Sequence, residues 1–197
     1  MSQSYVIRVS ASVREDVTAS DKRTQTIVLT EIVPCDEQRE ILREVLRGQG
    51  WEEVAGSDGK QLQRRRGQVV ETVDLETLTA EATVELDRTL ERNRTITVRG
   101  DRDFDSEDER HAKEKASLER SIAITDAERA EAEAAMQREI AELLDASDEE
   151  RTRDLNEAVR EVYAESLKRR AGSLGQVTSI QESREGGEYE LVIRITE

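Results

Sequence analysis

The sequence predicts an α+β fold: a mainly antiparallel sheet with one packed helix and an inserted antiparallel helical hairpin, a coiled-coil-like arm. Three observations carry this expectation. Apolar residues alternate at both ends, Tyr5, Ile7, Val9, Ala11 and Val13 at the first and Tyr189, Leu191, Ile193 and Ile195 at the last. That period of two is the pattern of a half-buried strand. Residues 101–171 contain no Gly and no Pro and are rich in Ala, Glu and Arg, which suits long helices. The expected division is a sheet-based domain, 1–100 with 172–197, and an inserted arm, 101–171.

Taken in order, residues 4–13 form the first strand, and the polar run 14–24 reads as a loop. "QTIVLTEIV", 25–33, is β-branched and reads as a second strand, ended by Pro34. Asp36 is placed to cap a helix in which Ile41, Leu42, Val45 and Leu46 share a face, with Gly48 and Gly50 supplying the left-handed stop. Trp51–Val54 and "QLQRRR" read as a hairpin around the turn "GSDGK". "QVVETVDL", "LTAEATVEL" and "RTITVRG" read as three further strands. "TAEATVELDRTLER" also admits a helix, but its alternation of Thr and Val with charge favours the strand.

Three capping boxes punctuate the helical region: Ser106 with Glu109, Thr125 with Glu128, and Ser147 with Glu150. In each, a hydroxyl can accept from the N–H three residues on, and the Glu can reach back. The middle box is either a true start or a point inside one long helix. One apolar stripe runs through Leu118, Ile122, Ala132, Met136, Ile140 and Leu143, and another through Leu155, Val159, Val162, Tyr163 and Leu167. The link Asp145-Ala146-Ser147 between them predicts two antiparallel helices. Gly172 and Gly175 end the arm. A closing hairpin turns at Gly186-Gly187 and is expected to complete the sheet begun at the N-terminus.

Composition limits function. Hydrophobic residues are 35% of the chain and charged residues 38%, against about 45–50% and about 25% in ordinary globular chains. A small core with long solvated elements fits these values, and the periodic placement of the apolar residues argues against disorder. The net charge of −15 opposes binding to nucleic acid or an anionic membrane. The basic clusters Arg64-Arg65-Arg66 and Lys168-Arg169-Arg170 read as a solvated strand end and a last helical turn. Cys35 is the sole cysteine, in keeping with a reducing compartment. The opening residues lack a secretory pattern and no apolar run is long enough to span a membrane, so a cytoplasmic location is expected.

No motif names a reaction. Asp101, Asp103 and Asp105 have the spacing of a calcium loop, but Ser106 stands where Gly is required and Ala112 where a bidentate Glu is required. An acidic helix start explains these residues better. His111 is the only histidine, and no Cys/His spacing suggests zinc. A His111–Cys35 nucleophile pair has nothing but a helix start beside Cys35 to recommend it. Phosphate-binding loops, dinucleotide fingerprints and nucleophile elbows are absent. The 45 acidic residues make some catalytic-looking pair inevitable, so pairs alone carry no information. No catalytic residue, metal or cofactor is expected.

The distinctive feature is the arm, read as a protein-binding surface built from Met136, Ile140, Leu143, Leu155, Val159, Val162 and Tyr163. Three separated phrases, "MSQSYVIRVS", "ILREVLRGQGWEE" and "LGQVTSIQESREGGEYELVIRI", together resemble small bacterial accessory proteins associated with AAA+ ATPases in FtsH-type ternary systems. The resemblance covers about a third of the chain and none of 101–171. It implies a non-catalytic partner of an ATPase and assigns no functional residue. The function expected is a non-enzymatic adaptor or accessory subunit of a larger cytoplasmic assembly, with a protein partner. Two alternatives stand beside it: a structural homodimer formed through the arm, and a hydrolase working with carboxylates alone.

Overall fold

The computed structural model describes residues 4–101, 106–185 and 188–196. The fold is α+β. A five-stranded sheet has the order β1-β5-β4-β3-β2, and β6 and β7 form a separate two-stranded sheet. The strands are β1 (Ser4–Thr26), β2 (Glu52–Glu53), β3 (Gln61–Arg66), β4 (Val69–Asp74), β5 (Thr79–Asp101), β6 (Gln176–Glu185) and β7 (Glu188–Thr196). The helices are α1 (Cys35–Gly48), α2 (Glu107–Ile122) and α3 (Asp126–Leu174). The chain divides into two compact units, 1–20 with 85–140 and 21–84 with 141–197.

In the first unit, β1 keeps a strict alternation well past Val13. Tyr5, Ile7, Val9, Ala11, Val17 and Ala19 are buried. The predicted loop at 14–24 is therefore strand. Its polar look has a local cause: Glu15 lies on the half-buried row, where its carboxylate accepts from Arg129 Nε at 2.6 Å. β5 lies beside β1. Ser10 meets Thr95 at 2.9 Å and Thr89 donates to Asp16 at 2.6 Å, so numbers fall on one strand as they rise on the other, the mark of an antiparallel pair. The predicted strands "LTAEATVEL" and "RTITVRG" are one continuous strand. Leu118 and Ile122 of α2 pack with Tyr5, Ile7, Val9 and Ala11, flanked by Val13, Ile96 and Val98.

The second unit holds the larger core. Ile41, Leu42 and Leu46 of α1 are wholly buried with Leu62 and Val73 of the sheet and Leu155, Ala158 and Val162 of α3. Pro34, rather than Asp36, occupies the N-cap of α1, and Asp36 sits in the acidic first turn, where the helix dipole favours it. Gly50, at φ +85°, makes the left-handed stop that L-residues resist. The segment 27–33, predicted as strand, is not strand. It lies where β1 has ended, with Ile27 N–H donating to Leu78 O at 2.7 Å. The hairpin through 54–60 is present, with β2 and β3 antiparallel. β3 and β4 then turn at Gly67, φ +58°.

The helical region corrects the predicted hairpin arm. The first two capping boxes start helices: Glu109 N–H donates to Ser106 Oγ, and Glu128 N–H to Thr125 Oγ1, each at 3.3 Å. The break falls at 123–125, between α2 and α3. The third box starts nothing, because α3 runs unbroken for 49 residues. Ser147 Oγ donates back to Leu144 O at 3.0 Å, so its hydroxyl is satisfied inside the helix. The stripe also stays in phase through Met136, Ile140, Leu144, Arg151, Leu155, Ala158 and Val162, all buried. Reading Leu143 for Leu144 and passing over Arg151 makes one helical face look like two. Gly172 does not stop the helix.

β6 and β7 form the closing hairpin's antiparallel pair, with the predicted turn Gly186-Gly187 outside the described residues, and the pair does not complete the first sheet. β7 pairs only with β6 among the described residues. At the α3–β6 junction, a Cβ on Gly175 would stand 2.7 Å from Thr196 O and 2.8 Å from Ile195 Cγ2.

Candidate functional site

The predicted interaction stripe is largely core. Met136, Ile140, Leu155 and Val162 are buried, and Leu143, Val159 and Tyr163 are half-buried. Leu155 and Val162 pack against α1 and the sheet, with Val159 at their margin. Tyr163 is a fastener: Thr30 N–H donates to its hydroxyl at 2.9 Å, and the hydroxyl donates to Val28 O at 3.3 Å. The stripe is thus spent inside the chain. An apolar face at helical spacing marks burial, and the sequence cannot say whether the cover is the same chain or another.

The densest polar cluster of the second unit was read from sequence as a solvated strand end. Arg64 and Arg66 instead face inward from β3. Arg64 donates to Glu71 Oε2 of β4 through Nε at 3.0 Å and Nη2 at 2.6 Å. Its Nη1 lies 3.3 Å from Asp154 of α3, and its guanidinium stacks over the Trp51 ring at 4.4 Å. Arg66 pairs with the same Asp154 and with Glu150. Glu71 is 1% exposed. Alternation alone hides such a cluster, because a charged residue on the inward row of a strand looks like an outward one. A hollow of about 440 Å³ beside it is lined by Glu52, Glu53, Gln63, Arg64 and Arg65. Its charges are mixed, and Arg64 is already held from three sides.

The second basic cluster is likewise engaged. Arg169 reaches Glu44 at 2.6 Å and Glu165 at 3.4 Å, Arg170 Nη1 donates to Ile32 O at 2.8 Å, and Lys168 pairs with Glu182 of β6 at 2.5 Å. These residues are not the last helical turn, since α3 continues to Leu174.

Two carboxyls are held below their usual range, by turns and caps. Glu128 is pulled from 4.5 to about 2 by the Thr125 N–H, by Arg92 and by the Thr125 hydroxyl. Asp74 is lowered by Gln61 and by the Thr77 N–H, which it accepts at 2.9 Å just after β4. Stabilised carboxylates of this kind serve structure, whereas a general acid needs a raised value. His111 and Cys35 are both exposed. Among the described residues no group of His, Cys, Asp and Glu is placed to hold a metal, and the Asp103–Asp105 part of the calcium-like spacing lies outside them. Among the described residues no helix is long and apolar enough to cross a membrane.

The family model for the FtsH ternary system domain X5 matches residues 1–196. The chain belongs to that family. The match spans both units and the whole helical region, well beyond the three phrases that carry the resemblance in sequence. It agrees with a component of an FtsH-associated system in an accessory role. No curated protein and no solved structure matches the chain. Within this X5 domain, exposed large apolar residues gather towards the C-terminal end: Leu167, Leu174, Ile180, Val192 and Ile195, against only Val6 and Val28 elsewhere among the described residues.

Proposed function

We propose that this X5 domain is a non-catalytic accessory subunit that acts by binding a protein partner, the FtsH-type ATPase of its own system, in the cytoplasm. The observation that carries the reading is the family match over residues 1–196. The chemistry of the chain supports it. The arginine clusters are engaged in ion pairs and backbone contacts, the shifted carboxyls belong to a turn and a cap, and the surface keeps a net charge of −15. Such a surface steers basic partners and repels nucleic acid.

The test is direct binding. Purified full-length chain and the purified ATPase of the same system are mixed and followed by light scattering and by biolayer interferometry. The expected outcome is a discrete complex at micromolar concentration, with an association rate that falls as salt rises. Two species that stay separate at tens of micromolar, in low salt and with nucleotide present, would rule the reading out.

A further inference from the structure

We infer that the open edge of β1 is a self-association surface: two copies of this chain pair β1 to β1, antiparallel, over residues 4–20, with Ser12 facing its own copy. The contact is strand to strand and does not run through the helices. It goes beyond the ATPase-binding reading and is tested on the chain alone, so the two can fail separately.

The edge is the first observation. β1 ends the five-stranded sheet and has β5 as its one strand neighbour among the described residues. Successive residues of a strand direct their N–H and C=O groups to alternate edges, so every second residue of 4–20 offers both groups away from β5. No backbone partner outside the sheet meets 4–20 among the described residues, and at its end Gln137 Nε2 reaches Ser20 O at 3.4 Å. Proteins blunt such edges with Pro, Lys, bulges, inward-pointing charges or very short strands. The opposite edge strand, β2, is two residues long. The stretch 4–20 has no Pro, Gly or Lys, and Glu15, its inward-row charge, is already held by Arg129.

Charge register selects the occupant. A two-fold axis perpendicular to the sheet keeps the same face of both copies up. An axis through Ser12, the midpoint of 4–20, sets residues equally far from Ser12 opposite one another. Arg8 of one copy then faces Asp16 of the other, twice by symmetry, and Val6, 60% exposed, faces Thr18. On the inward row Tyr5 faces Ala19, Ile7 faces Val17 and Ala11 faces Val13, so the apolar rows run on as one, with Val9 beside the Arg129-bound Glu15. Arg8 is exposed and has no ion pair among the described residues. Asp16 has Arg14 only loosely, at 3.7 Å. Opposite charges directly across a strand pair stabilise it, and like charges destabilise it. An axis through Ala11 would set Arg8 against Arg14, one through Val13 would set Arg8 against Thr18, and one through Arg14 would set that arginine against itself. The stretch is also neutral, Arg8 and Arg14 balancing Glu15 and Asp16. The net charge of −15 therefore lies elsewhere in the chain and is screened beyond about 8 Å at physiological salt.

The full chain is followed by analytical ultracentrifugation from about 1 to about 100 μM at physiological salt. A dimer is expected at the upper end. Arg8→Glu and Asp16→Arg should each weaken it by about tenfold or more, since each sets like charges opposite one another twice. The double variant, and an equimolar mixture of the two single variants, should recover it. Location is read separately by oxidation. Ser12→Cys in a Cys35→Ser chain should form an inter-chain disulfide, because facing Cα atoms lie about 4.5–5.5 Å apart, whereas Thr18→Cys in the same chain should not. A dimer indifferent to either reversal, reversals that do not rescue one another, or no disulfide from Ser12→Cys would overturn the proposal. A monomer throughout would overturn it in favour of an edge left for another protein's strand.

Discussion

Glu71 is buried in the second unit, 1% exposed and held by Arg64 at 2.6 Å. It is a carboxylate on the inward row of a strand, and only Arg64 makes that tolerable. Taking away one member of a buried ion pair strands the other. Glu71→Ala should therefore cost about 3 kcal/mol in urea denaturation, whereas replacing Arg64 and Glu71 together by Met and Leu should recover most of it. A second residue-scale consequence follows from Glu128, whose folded-state pKa is about 2 against 4.5 unperturbed. The sign is that of a depressed acid: its contribution is whole above 4.5 and disappears as pH falls towards 2. Melting temperature should drop across that window, and Glu128→Gln should flatten the part of the drop that Glu128 supplies. Neither Glu71 nor Glu15 was legible in sequence as inward-facing. A charge in a strand is normally evidence of the wet side, and what reverses the inference is a partner, Arg64 or Arg129, distant in the chain.

At the scale of elements, type was legible and extent was not. The α1 helix, the β2–β3 hairpin, β4 and the closing hairpin stand where periodicity and turn residues place them. The long elements β1, β5 and α3 were each divided in reading. Two of these false boundaries share an origin, a local signal of termination met by a satisfied group inside the element. Glu15 finds Arg129, and Ser147 finds the Leu144 carbonyl. The continuity of α3 is open to a sharp test at Ala146, an exposed residue that the sequence reading placed in an elbow. In a helix interior Ala146→Pro should cost about 3 kcal/mol or more and reduce the far-ultraviolet helical signal. An unchanged melting curve would restore the elbow.

For the whole molecule, the sequence conveyed the fold class, and its faint terminal likeness pointed to the family that the full-length match establishes. The apolar positions read as an interaction surface are mostly buried, since burial and binding share one signature. Leu155, Val159 and Val162 of the stripe are closed by α1 and the sheet of the same unit, which no pattern within 101–171 could reveal. Exposed apolar side chains gather instead on a hairpin that was expected to be covered. The ATPase-binding and self-association outcomes stated above belong to this scale, and each can fail without the other.

Gly175 sits where the last strand meets the end of α3. The last strand approaches the end of α3 so closely that even a methyl group would meet the Thr196 carbonyl and the Ile195 side chain, so a larger residue at 175 would force the backbone of β7 to shift. The close packing of β7 against this junction therefore requires the hydrogen of Gly175 where other residues carry carbon.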